Sequence, residues 1–174
     1  MFDFDVREIG DRRDAGDANR IGQALALSTI RLDVSVTEIP RGPALALSPE
    51  AGVAAAMAAM RRRGCGAAIV VQNHRPIGVV TDRDILQTCG DTSDLRVVPI
   101  GTVMTRCDEP LRDGDSVALA LRAMCSRRQW HLPIVCGRGL FLGALDIADI
   151  SMWLRDRMTV ISVNAAFAGV DASI

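Results

Sequence analysis

The sequence predicts an α/β (α+β) fold built from two βαββα half-domains in a pseudo-two-fold arrangement. Three observations predict it. Residues 78–84 read Gly-Val-Val-Thr-Asp-Arg-Asp, a strand running into a helix, and a weaker copy, Gly-Ala-Leu-Asp-Ile-Ala-Asp, returns at 143–149. Sliding the chain on itself by 64 residues places Leu47 on Leu111, Val53 on Val117, Ala56 on Ala120, Met60 on Met124 and Val71 on Val135. After one extra residue Gly78 meets Gly143, Asp84 meets Asp149 and Ile85 meets Ile150. Finally, one copy is too short to bury its own sheet face, so two copies stacked on each other form the stable unit.

Each copy has the same local grammar. Residues 44–47 form a short apolar strand closed by Ser48-Pro49-Glu50, which reads as a helix start with a hydroxyl cap and a first-turn proline. Val53, Met57 and Met60 recur at helical spacing, and Gly64 is a suitable stop for that helix. A second strand follows at 67–71, then a turn at 73–76. A third strand at 77–81 runs into a helix opening at 82–84. In the second copy Pro110-Leu111 leads to Asp113 as the expected cap, and Val117, Ala120, Leu121 and Met124 line the helix face. Strands at 132–135 and 140–145 flank the glycines at 137 and 139.

At 174 residues the chain suits one domain of ordinary size or two halves sharing a core, and 49% hydrophobic content supplies enough material to bury. A net charge of −1 argues against a surface drawn as a whole to nucleic acid or anionic lipid. All 20 basic residues are arginine; genome composition explains this, and so does a use for guanidiniums that fork phosphates. Five cysteines (65, 89, 107, 125 and 136) show no C-x-x-C pair. Their odd number and irregular spacing argue against a disulfide framework or a zinc site and for reduced thiols in a cytoplasmic protein. No run approaches the ~18 apolar residues of a membrane span.

The grammar, closed by G-h-h-[ST]-x-x-D, resembles the CBS domain, the repeated module named after cystathionine β-synthase. The resemblance covers roughly residues 36–150. It is carried by Ser48-Pro49, by 78–85, by Val103-Met104-Thr105 and by His131-Leu132-Pro133-Ile134-Val135. It implies a first motif at 36–90, a linker at 91–102, a second motif at 103–158 and a tail at 159–174, after an extension at 1–35. It also implies a regulatory sensor rather than an enzyme, a homodimer, and an adenine nucleotide (AMP, ADP or ATP) as ligand. The regulated protein stays unnamed, and NAD or S-adenosylmethionine are other ligands of the same kind.

The binding residues the resemblance points to are Thr81, Asp84, Arg83, Val80 and Ala67 in the first copy, with Asp149, His131 and Leu111 in the second. Chemistry suits several of them. An ionised Asp84 accepts hydrogen bonds from both ribose hydroxyls, Thr81 donates to a phosphate, and Arg83 forks one. The bland alternatives are helix-capping roles for Asp84 and Thr81 and a solvated charge for Arg83. In the second motif Asp146 replaces the hydroxyl residue, and an anion there repels phosphate. That pocket is then empty, or takes a phosphate-poor ligand such as an adenosyl sulfonium, or His131 and Asp146 pair with each other.

Other features have less chemistry. His74-Arg75 reads as an exposed turn, and Arg61-Arg62-Arg63 as cations at the negative end of a helix. Trp130 either stacks an adenine or fills a contact. No nucleophile elbow, Walker loop or metal-binding pair accompanies the two histidines, so no catalytic constellation is expected. Residues 1–17 read as loose, 18–27 as a short helix and 30–36 as an edge strand on the opposite half. A helix after Asp149 is expected to end near Arg157, followed by an apolar tail suited to a partner subunit. A ligand-free dimerisation scaffold is the competing functional class.

Overall fold

The computed structural model describes residues 31–88 and 94–167. Residues 31–155 form one compact unit; a second unit combines both ends of the chain, and of it only 156–167 are described. The helix expected over 18–27, the loose start over 1–17 and the end of the tail lie outside the described residues.

The element order in the first half is β1 (Ala46–Leu47), α1 (Val53–Arg63), β2 (Ala67–Gln72), β3 (Arg75–Thr81) and α2 (Asp82–Thr88). A short α3 (Ile100–Val103) and β4 (Thr105–Arg106) follow. The second half repeats the order with β5 (Leu111–Arg112), α4 (Val117–Arg127), β6 (His131–Val135), β7 (Phe141–Asp146) and α5 (Ile147–Phe167). One sheet has the order β1-β2-β3-β4 and the other β5-β6-β7. In each, the first two strands are parallel and the next pair is an antiparallel hairpin.

The duplication is visible at the level of single side chains. Helix α1 buries Val53, Ala56, Ala59 and Met60, and α4 buries the four counterparts Val117, Ala120, Ala123 and Met124. Burying a Val or Met side chain of this kind contributes roughly 1.5–3 kcal/mol. Both hairpins carry an irregularity at the same place, between Val70 and Val71 and between Ile134 and Val135. One face of each sheet packs on its helices. The other meets the opposite half, where Ala67, Ile69 and Val79 gather with Phe141 and Ala144. A backbone bond from Phe141 N–H to His74 O (2.8 Å) ties the two hairpins together.

Several local expectations are corrected. Met57 is 42% exposed, because the buried stripe runs through Ala56 and Ala59 instead. Leu121 is only half-buried, for the same reason in the second half. Helix α1 starts at Val53 with Gly52 as its cap, not at Ser48-Pro49. The Ser48 hydroxyl instead organises a tight turn, accepting from Glu50 N–H and donating to its carboxylate. Asp113 is not a cap either; Ser116 accepts from Leu119 N–H at 3.2 Å and opens α4. Residues 31–36 make a single bridge, Ser35 to Ser116, rather than a strand. A 3-10 turn, Val36–Glu38, closed by a reciprocal Ser35–Glu38 capping box, bends the chain away. Helix α5 continues ten residues beyond Arg157, to Phe167, since no glycine or proline interrupts it before Gly169.

The first turns of α1 and α4 find their partners across the repeat. Val53 N–H donates to Val98 O (2.8 Å) and Ala54 N–H to Leu95 O (3.1 Å), both from the segment leading into the second half. Reciprocally, Val117 N–H donates to Val34 O (3.0 Å) and Ala118 N–H to Leu32 O (2.9 Å), from the segment leading into the first. These bonds satisfy amides that every helix start leaves open, and α1 needs no side-chain cap because of them.

Candidate functional site

Strand β3 alternates in orientation, so Val79 and Thr81 share one face and Val80 the other. The turn from β3 into α2 then brings Asp84 back over the strand end. Thr81 N–H and hydroxyl donate to Asp84 Oδ2 at 2.8 and 2.7 Å, and Asp84 N–H donates to Thr81 Oγ1 at 3.2 Å. This is a reciprocal capping box, the role that competed with ligand binding for these two residues. Thr105 on β4 approaches the other carboxylate oxygen at 3.5 Å. A Cβ on Gly78 would lie 2.8 Å from Thr105 O, so only glycine admits β4 to this edge.

Thr81 and Asp84 line a cavity of about 390 Å³ with Arg83 and Thr105, closed from the second half by Arg128, Trp130 and His131. It is an inter-repeat crevice. Its counterpart, about 500 Å³, is lined by Asp146 and Asp149 of the second motif and by Arg63, Gly64, Cys65 and Ala67 of the first half. There Asp149 accepts from Asp146 N–H at 3.1 Å, and Asp146 also accepts from Ala148 N–H at 2.8 Å.

His131 borders both cavities. It pairs across the hairpin with Asp146, its Nε2 lying 2.8 Å from Oδ2, so of the readings open for these two residues the mutual pair is the one formed. Thus Thr81, Asp84, Arg83 and His131 come together at the first cavity, and Asp149, Ala67 and His131 at the second. Val80, with 0% exposure, and Leu111, with 4%, point into the cores and line neither cavity. Arg128 was not anticipated, although the offset of 64 already places it on Gly64 and Trp130 on Gly66. Arg63, read as part of a solvated helix end, lines the second cavity.

The family model of the CBS domain matches residues 36–91. This segment of the chain is a CBS domain. Solved CBS-domain structures share the fold of the chain through both halves. A CBS domain protein from Pyrobaculum aerophilum complexed with AMP is 25% identical over 67% of this chain and 89% of its own, with a TM-score of 0.60. The CBS domain pair of protein MJ0100, in complex with 5-methylthioadenosine and S-adenosyl-L-methionine, is 17% identical, covering 71% and 98%, with a TM-score of 0.63. A CBS-domain containing protein from Agrobacterium tumefaciens is 17% identical, covering 68% and 98%, with a TM-score of 0.60. No curated protein matches the sequence. Among the described residues no cluster of three or more His, Cys, Asp or Glu could hold a metal ion, and no helix is long and apolar enough to cross a membrane.

Proposed function

We propose that this protein is a regulatory sensor that binds an adenosyl ligand in the crevice bearing Thr81 and Asp84 and changes conformation or association in response. One observation carries the reading: the hydroxyl and carboxylate of the first motif line a cavity whose far wall belongs to the second half. A ligand seated there touches both halves, so it favours whichever half-to-half geometry closes on it. Ligands named for the similar structures, AMP and S-adenosyl-L-methionine with 5-methylthioadenosine, support the adenosyl class. In this reading Asp84 exchanges its contacts with Thr81 for the ribose hydroxyls, and Thr81 turns to the phosphate.

Regulation would pass to a second copy or another protein. Leu86, 71% exposed, and Met152 lie on the helices that leave the two motifs, and they suit an apolar contact with a second copy. The described cysteines are free thiols, which suits a reducing cytoplasm.

Calorimetry with AMP, ADP, ATP, NAD and S-adenosylmethionine tests the reading. Asp84→Asn keeps an acceptor for the helix cap but loses the charge, and the expected result is about tenfold or more weaker binding at an unchanged melting temperature. Heat from none of these ligands would instead leave the ligand-free dimerisation scaffold, which the His131–Asp146 pair across the second motif favours.

A further inference from the structure

The two crevices come from one duplicated plan, so matched positions show how their chemistry diverged. Arg83 of the first crevice corresponds to Ala148, Arg128 to Gly64 and Thr81 to Asp146. The first crevice therefore holds two guanidiniums, one from each half, at positions where the second has only Ala148 and Gly64; the second crevice has a single guanidinium, Arg63. The second has a carboxylate where the first has a hydroxyl. Arg63 at the second crevice has Arg127 as its counterpart, and Arg127 is drawn away by an ion pair with Glu109. Arg83 and Arg128 form no ion pair with any described residue.

Arg128 is also held unusually. It ends α4 in the left-handed region at φ 53°, as Gly64 ends α1 at φ 62°. That region disfavours any residue with a Cβ and routinely accommodates glycine. A side chain kept there at the lip of a cavity is a strained backbone position of the kind found at ligand clamps.

We infer that the first crevice selects adenosyl ligands carrying a di- or triphosphate, gripped between Arg83 and Arg128, and that the second crevice excludes them. The inference rests on the adenosyl reading of the site and names its ligand class. One planar guanidinium forks one phosphate group. Two of them, on opposite walls, match a chain of phosphates better than a single phosphate or a cationic sulfonium. Closing both on one ligand would also pull the halves together.

The test is calorimetry of the full chain with adenosine, AMP, ATP and S-adenosylmethionine, on wild type, Arg128→Gly and Arg83→Gln. Wild type should prefer ATP over adenosine, and each variant should cut that preference about tenfold or more, the loss of one charge-assisted contact. Arg128→Gly installs the residue the first half already uses, so its melting temperature should equal or exceed that of wild type. An ATP-to-adenosine ratio unaltered in both variants overturns the arginine clamp while leaving the nucleoside site intact. Tighter binding of AMP or S-adenosylmethionine than of ATP by wild type overturns it too. Absence of binding by all four ligands overturns the clamp and the adenosyl reading together.

Discussion

Thiol chemistry shows how far neighbouring atoms set the behaviour of one residue. Backbone N–H groups of Arg138 and then Leu140 point at Cys136 and draw its thiol below the usual value, while burial pushes the Cys107 thiol up. A lowered value means more thiolate at a given pH. At pH 8 iodoacetamide should therefore label Cys136 well before Cys107, as read by peptide mass spectrometry; equal rates would contradict these environments. The sign also fixes a stability trend. The raised Cys107 thiol favours the folded state below the ordinary thiol range and loses that advantage as pH climbs through its shifted value. At the same scale, Thr81 and Asp84 were legible because their spacing is itself the motif. Val80 was not, since one step along a strand turns a side chain from the crevice to the core. Arg128 was hidden because a helix terminus normally asks for glycine, and only the comparison of copies marks it as odd.

The two long helices start differently in spite of their shared plan, and this makes the serines informative. Ser116→Ala removes a side-chain cap and should cost about 1 kcal/mol in urea unfolding. Ser48→Ala removes only a turn contact outside α1 and should cost roughly half as much or less. Comparable losses would mean that Ser48 supports the helix after all. Sequence reading placed the repeated strands and helices well, because apolar spacing and Gly64 mark them. It misplaced both caps: α1 has no side-chain cap and is finished by distant main-chain carbonyls, which carry no residue signature, whereas α4 is capped by Ser116, three residues beyond the Asp113 that sequence reading chose. It also missed β4. Cys107 N–H donates to Ile77 O (3.1 Å) beside that strand. The counterpart of Cys107 is Pro43, which has no N–H to give, so the second sheet keeps three strands among the described residues.

At the scale of the molecule the halves should melt as one. Both tryptophans, 130 and 153, belong to the second half, so their fluorescence follows that half while far-UV dichroism follows the whole. Met60→Ala, a core truncation confined to the first half, should cost about 3 kcal/mol and move both midpoints equally. A fluorescence midpoint that stayed put would show two independent halves. The duplicated architecture was legible from the 64-residue offset alone, since matched apolar positions can only mean matched cores. The bracing between halves was not, because it runs through backbone atoms of residues 32, 34, 95 and 98, where any side chain would serve. A practical rule for trimming the protein comes from that bracing. A truncation that began at residue 40 would leave the β1–α2 neighbourhood whole and fray the start of the distant helix at 117, so the injury would surface more than seventy residues from the cut.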